Sequence, residues 1–497
     1  MNLIPGKPGL TPNYYCTWGA QNGFYNRKDN PEKFTGSGGA QVARHSLTEE
    51  TVFGDSGMAR EHDRIRGDLY FVLDDGWDVP YTVDPNTARY EFGSLMLNEE
   101  KFASCSGAPE VRLQKMNDMM KNLGWKGVGL WIASQAQGET SGNKLSLEQS
   151  KDFWKERILW SKYAGVEYWK VDWGVYSTDV SWRRMLTQLG KELYPELFIE
   201  QCRCMGCTND NNNRFAGWDN VTDENLAILA FSDVFRSYDA WDQLSVATTM
   251  DRLGVLLTAE MEEKALGIIN VEDEPYIGAA LGCAIGIMRT RFRPTRRTTK
   301  LMDEATRAIM WQRIAPAFGV KETKSYVSDE LLTDAWFFEK GEVFATELDN
   351  KELTQIAPNV VSRGINLPRV KDYIENAPYV VAAKNPNGAV SISTLPRSTG
   401  RKIEFPLSTI EFDVGDSDVP IGIFGLYNQL ILNFTDSVSG KKVYVQDLAG
   451  YEAQDITNLI SCKGNQLVIS GEVISKAGLS NASENDLSSP GLVMVLK

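Results

Sequence analysis

Four short segments bring acids, bases and large aromatic rings within a few residues of one another. They are Tyr15-Cys-Thr-Trp18, Leu73-Asp-Asp-Gly-Trp77, Tyr168-Trp-Lys-Val-Asp172-Trp173 and Arg236-Ser-Tyr-Asp239-Ala-Trp241. Carboxylates accept hydrogen bonds, move protons and attack carbon, whereas Lys and Arg only donate. Indole and tyrosine rings add flat apolar faces with a polar edge. Such a set suits a ligand rich in hydroxyls that also has an apolar face, as a sugar ring does. Histidine contributes little, because His45 and His62 are the only two and neither lies in a metal-ligand pattern. Ser-His-Asp catalysis and histidine metal sites are thereby disfavoured, and the chemistry falls to carboxylates, Lys, Arg or Tyr.

These residues need a scaffold that gathers them. Runs of β-branched and aromatic residues alternate with helical stretches up to about residue 318, which predicts a parallel sheet. Strands are expected at Asn13–Gly19, Asp68–Gly76, Gly127–Ala133, Glu167–Gly174, Leu197–Cys202, Asp233–Asp239, Leu266–Val271 and Gly286–Arg289. Between them, Met116, Met119, Met120 and Leu123 keep a helical period before Gly124. Ser146-Leu-Glu-Gln149 reads as a capping box, and Asp303–Ala317 as the last helix of the series. Strand–helix units in this number predict a (β/α)8 TIM barrel over residues 1–318, with the site at the C-terminal ends of the strands. A doubly wound open sheet is the competitor, but no glycine-rich dinucleotide fingerprint follows the first strand.

Residues 319–497 have a different texture. Helical periodicity fades, and short strands flank turn signals at Lys340-Gly341, Asn385-Pro-Asn-Gly388, Ser439-Gly440 and Gly464-Asn465. An all-β C-terminal domain, a β-sandwich, is expected there, with a division near residue 400 at Ser398-Thr-Gly400.

A chain of 497 residues exceeds the size at which single cores stop growing, so at least two domains are expected. Its formal charge of −14 argues against nucleic acid or an anionic membrane as a partner. The longest apolar run, Ile277 to Met288, is too short to span a bilayer, so no membrane span is expected. The seven cysteines are too scattered for a disulfide scaffold. Met1 to Pro12 lacks the marks of a secretory signal, so the protein is either cytoplasmic or, the favoured expectation, secreted or periplasmic with its leader removed.

In order and in content, Tyr15-Cys-Thr-Trp18, Leu73-Asp-Asp-Gly-Trp77, Tyr168-Trp-Lys-Val-Asp172-Trp173 and Arg236-Ser-Tyr-Asp239 resemble the motif series of glycoside hydrolase clan D. That clan holds the α-galactosidases of families 27 and 36. Family 27 is the closer match, since no large β-domain precedes the first strand. The resemblance covers the barrel motifs and does not extend to residues 319–497. It implies a retaining exo-glycosidase that releases terminal α-galactosyl-type residues from an oligosaccharide or polysaccharide, with no cofactor and no metal. Asp172 becomes the nucleophile and Asp239 the general acid/base. Asp74, Asp75 and Lys170 would hold ring hydroxyls, Glu200 and Arg236 would face the 2-hydroxyl, and Trp18, Trp131 and Cys202 would line the site. Family members often place the acid four residues after the arginine, whereas Asp239 lies three after Arg236, so Asp242 and Asp233 stay open as alternatives. Lys170, two residues before Asp172 on the same strand face, is expected to favour the ionised nucleophile. Two other readings remain: a β-L-arabinopyranosidase, whose sugar lacks only the hydroxymethyl arm, and a carbohydrate-binding protein without catalysis.

Other features have plainer readings. Cys202, Cys204 and Cys207 share a loop but have no fourth ligand nearby, so zinc is not expected. The arginines of residues 289–297 are expected to pair with carboxylates at the barrel rim, with recognition of a substrate anion as the sharper option. Glu272-Asp-Glu274 before Pro275 is expected to cap the next helix. Asn433-Phe-Thr435 matches a glycosylation acceptor, but its apolar neighbours point to a strand.

Overall fold

The computed structural model describes residues 1–24, 43–80, 91–203, 209–210, 213–214, 221–237, 246–261, 266–293, 297–320, 322–337, 352–372 and 377–497. Eight parallel strands close into a barrel. They are β1 Asn13–Cys16, β2 Leu69–Leu73, β3 Gly127–Ile132, β4 Tyr168–Val171, β5 Phe198–Cys202, β6 Val234–Arg236, β7 Ile268–Glu272 and β8 Ala284–Ile287. Each strand pairs with its predecessor, and β8 returns to β1 with Tyr14 opposite Gly286. All eight expected strands are present, each within a few residues of its expected bounds.

Because strand side chains alternate between faces, each strand sorts its residues into two environments. Phe71, Leu73, Val128, Leu130, Trp169, Val171, Ile199, Phe235, Val271 and Ile285 face the helices and form the main core. Tyr14, Cys16, Tyr70, Val72, Tyr168, Val234 and Ala284 form a separate cluster in the lumen. Helices fill the crossovers as the sequence signals demand. Leu147–Ala164 begins at a reciprocal capping box, where Ser146 Oγ accepts from the Gln149 N–H at 3.3 Å and Gln149 Oε1 accepts from the Ser146 N–H at 3.0 Å. It ends on left-handed Gly165. The last helix of the barrel is Met302–Gln312.

The C-terminal third is built of sheets. An eight-stranded sheet, ordered Ser325–Val327, Val360–Arg363, Tyr379–Lys384, Val390–Leu395, Ile421–Phe424, Gly491–Leu496, Val443–Asp447 and Gln454–Asp455, packs one face against a five-stranded sheet. Ile392, Phe412, Ile423, Leu432 and Ile469 fill the space between them. The other face of the larger sheet shares the main core with the barrel through Val381, Leu395, Phe424 and Val493. A four-stranded sheet built around Leu331–Phe337 and Glu352–Pro358 packs on the barrel helix Val246–Thr258. The turn expected at Lys340-Gly341 lies outside the described residues, while that at 385–388 joins two antiparallel strands. Among the described residues one α-helix interrupts this region, Gly471–Gly478, started by Ser470 Oγ accepting from the Val473 N–H at 3.3 Å. Among the described residues no helix is long and apolar enough to cross a membrane.

Candidate active site

The lumen changes character toward the C-terminal ends of the strands. Lys170 Nζ, on β4, lies 3.1 Å from Asp74 Oδ2 and 3.2 Å from Glu272 Oε1. The Cys16 thiol donates to the same Asp74 oxygen at 3.0 Å, and the Tyr14 hydroxyl donates to Glu272 Oε1 at 2.5 Å. A Cβ at Gly286 would meet the Tyr14 ring at 2.5 Å, so glycine on β8 gives the tyrosine room to lie in the lumen and reach Glu272. Burial by itself would lower the Lys170 pKa. Asp74, Cys16 and Glu272 outweigh it and hold the ammonium well above its ordinary value. Lys170 therefore keeps its charge inside the protein.

Asp172 follows β4 and is 7% exposed. Its Oδ2 accepts from Trp131 Nε1 at 3.1 Å, and Arg236 Nη2 lies 3.5 Å from its Oδ1. The other terminal nitrogen of Arg236 is 3.8 Å from Glu272 Oε2. The backbone is held as well. Arg183, fully buried on the helix Val180–Leu193, donates to the Asp172 carbonyl at 2.8 Å and to Gln201 Oε1 at 2.6 Å. Lys170 spends its charge on Asp74 and Glu272, and Arg236 with the Trp131 indole faces the carboxylate instead.

Asp74 and Asp75 leave β2 in divergent directions. The Asp74 N–H donates to Thr17 Oγ1 at 2.9 Å, and Asp74 Oδ1 accepts from the Asp75 N–H at 2.8 Å. Asp75 makes a bidentate pair with Arg44, at 2.7 and 2.9 Å. Gly76 at φ +107° allows the Arg44 stem to pass, since a Cβ there would lie 2.7 Å from it. Burial raises the Asp75 pKa, Arg44 opposes that rise, and Asp74 and Asp172 add to it. Beside these acids stands an aromatic wall. Phe92, Trp131 and Trp173 pack with ring centroids 5.1 to 5.7 Å apart, and Trp77 Nε1 donates to the Trp131 carbonyl at 2.8 Å.

Of the expected site residues, Asp74, Asp75, Trp131, Lys170, Asp172 and Arg236 converge, with Cys202 buried beside Arg236 on the neighbouring strand. Trp18 opens the helix Trp18–Phe24 and packs in the lumen cluster with Met288 and Ala43. Glu200 lies deeper, paired in register with Lys170 and Val234 and 0% exposed. Asp239 and Asp242 fall outside the described residues, as do Cys204 and Cys207. Asp233 stands at the start of β6, the strand's other end, where it accepts from the Ile199 N–H at 3.0 Å.

Of Glu272-Asp-Glu274, Glu274 takes the N-cap position of the following helix, without a side-chain cap hydrogen bond, and Glu272 has a different place. Asp273, at φ +54°, turns the chain there and accepts from the Met288 and Arg289 N–H groups, each at 3.0 Å. Glu272 belongs to β7 and enters the lumen with Asn270, while Ile269 and Val271 face the helices. The alternation Ile-Ile-Asn-Val-Glu carried that signal to anyone extending the strand by one residue. Arg183 was also missed; its mark is a charge on the helical stripe shared with Leu186, Thr187 and Gly190. Of the rim arginines, Arg289 follows the plainer reading and pairs with Asp273 and Glu304, each at 3.2 Å, whereas the Arg291 side chain donates to the Ser56 and Gly57 carbonyls and Arg296 lies outside the described residues.

No family model matches the chain, and no curated protein does. Among solved structures it is similar to α-galactosidase I from Mortierella vinacea, at 13% identity over 98% of this chain and 97% of that one, with a TM-score of 0.41. It is similar to a GH27 β-L-arabinopyranosidase from Geobacillus stearothermophilus in complex with arabinose, at 11% identity over 98% and 97%, TM-score 0.41. It is also similar to an α-galactosidase from Saccharomyces cerevisiae with raffinose, at 10% identity over 98% and 95%, TM-score 0.37. At such identities and scores the likeness does not carry over to activity.

Proposed function

We propose that this protein is a retaining exo-glycoside hydrolase of the clan D, family 27-like type, releasing terminal α-galactosyl-type residues through a covalent intermediate on Asp172. The observation that carries this reading is the setting of Asp172 at the C-terminal end of β4. An indole N–H and a guanidinium hold its two oxygens, a buried arginine fixes its backbone, and an aromatic wall stands alongside. A carboxylate aimed so firmly is suited to attack an anomeric carbon. Arg236 and Trp131 hold its two oxygens by charge and hydrogen bonding.

In this mechanism Asp239, on the segment after β6, protonates the leaving oxygen while Asp172 attacks, so that the glycosidic bond breaks as the carbon–Asp172 ester forms. The same residue then takes a proton from water, which displaces Asp172 and returns the sugar with its configuration retained. That chemistry requires the two carboxyls about 5–5.5 Å apart. Asp74, Asp75, Lys170 and Arg236 act as hydroxyl-binding groups, and Trp131 with Trp173 offers an apolar face to the ring.

A panel of aryl glycosides tests the reading, with the anomeric form of the first product followed by NMR. Chromophore release from the aryl α-galactoside with a retained first product is expected. Preference for the aryl β-L-arabinopyranoside would move the substrate to the smaller sugar. Inversion would end the covalent mechanism, and binding without release on any member would make the protein a carbohydrate receptor. Asp239→Ala is expected to lose about 10²- to 10⁴-fold on substrates with poor leaving groups. Full activity in that variant would pass the acid role to Asp242.

A further inference from the structure

Once the lumen charges are paired, one carboxyl is left over. Lys170 serves Asp74 and Glu272, and Arg236 serves Asp172 and Glu272. Glu200 sits among Tyr14 of β1, Tyr168 and Lys170 of β4, Cys202 of its own strand, Arg236 of β6 and Glu272 of β7. It is 0% exposed; neither oxygen has a well-formed hydrogen bond among the described residues, and the Tyr168 hydroxyl is the donor beside it. Glu272 Oε2 likewise lacks a hydrogen bond among the described residues and meets Arg236 only as an ion pair at 3.8 Å. A buried carboxylate so weakly partnered is costlier than the neutral acid, and here a second carboxylate stands close by.

We infer that Glu200 is a positioning residue that works as an uncharged acid, and that the site keeps its geometry only while Glu200 holds its proton. Ionised, it would compete with Asp172 for Arg236 and with Asp74 for Lys170, loosening both the nucleophile and a hydroxyl-binding group. Burial pushes the Glu200 carboxyl up to about 8; Lys170, Arg236 and the Tyr168 hydroxyl oppose the rise, and Glu272 adds to it. The folded state therefore binds a proton that the unfolded chain releases above the ordinary glutamate range. The stability linked to Glu200 is complete below that range and is lost as pH climbs toward about 8. In its kinetic consequence the inference rests on the glycosidase reading: activity falls on the alkaline side through Glu200, which need not touch the sugar.

The test uses the full chain and Glu200→Gln, which keeps the shape of the neutral acid. Melting temperatures between about pH 5 and pH 9 are expected to fall more steeply for the native protein than for the variant. Infrared spectra of the native protein are expected to contain a protonated-carboxyl band near neutral pH that fades on alkalinisation and is missing from Glu200→Gln. This band can be followed in the native protein even if the variant folds poorly. The alkaline limb of kcat/KM is expected to move to higher pH in Glu200→Gln. Parallel melting curves with no such band would overturn the inference. So would a raised KM for Glu200→Gln at low pH, which would make Glu200 a charged contact to the ring. If no glycoside is cleaved, the glycosidase reading fails, while the melting and infrared arms still judge Glu200.

Discussion

Ile392, Phe412, Ile423, Leu432 and Ile469 fill the gap between the two larger C-terminal sheets, whereas the upper barrel lumen holds Tyr14, Asp74, Lys170, Arg236, Glu200 and Glu272. Both interiors are lined by alternating strand residues and both are buried, so backbone geometry does not explain the contrast. Apolar packing stabilises a core at little risk, while buried charges rarely improve on it and are costly when any partner is missing. The sandwich is what these strands build when stability alone is at stake. The lumen keeps groups that a stability argument would remove, and that makes it the place to look for chemistry.

The contrast can be broken at several points. Asp172→Ala should lower kcat on a cleavable aryl glycoside by about 10⁴-fold or more; an activity within tenfold of native would put the nucleophile elsewhere. Asp447→Ala should act the other way. Arg307 and Asp447 join the last barrel helix to the eight-stranded sheet with a fully buried pair at 2.9 Å, and Asp447 also accepts from the Asn481 N–H. Its loss should cost about 3–5 kcal/mol in denaturant unfolding, since it strands a buried guanidinium, with kcat/KM unmoved at temperatures where the variant is folded. Leu432→Ala should cost about 2–5 kcal/mol through the cavity it leaves in the sandwich, again without kinetic effect. Ser146→Ala, at the start of the helix after β3, should cost only about 1 kcal/mol. Finding that Leu432→Ala changes KM would mean the two interiors are not independent.

The fold was legible because both of its periods are written plainly. The apolar alternation of the strands and the capping box at Ser146 depend on neighbours within one element, and each element appeared where its pattern lay. The site was legible to the extent that strand ends carry it: Asp74, Lys170, Asp172 and Arg236 are all terminal or next to terminal. The partners were not legible. Lys170 has Asp172 two residues away, yet its contacts are with Asp74 and Glu272 across the barrel, a choice made by strand register that no local spacing encodes. Three acids in a row before a proline-initiated helix hide their separate places: Glu272 ends the strand, Asp273 supplies the turn and Glu274 takes the N-cap position. The helix Gly471–Gly478 escaped notice because at eight residues it holds barely two turns of pattern.

The helix Pro275–Leu281, which begins three residues after Glu272, has every one of its residues buried. The barrel covers one side and the eight-stranded sheet the other, where Ser391 Oγ donates to the Ala280 carbonyl at 3.2 Å and the Tyr276 hydroxyl donates to the Ser489 carbonyl at 2.6 Å. An engineer wishing to graft the catalytic half onto a different C-terminal module therefore faces a segment that has never met solvent. Any replacement would have to reproduce that apolar cover, or the grafted protein would aggregate through it, with the strand that carries Glu272 the first to be disturbed.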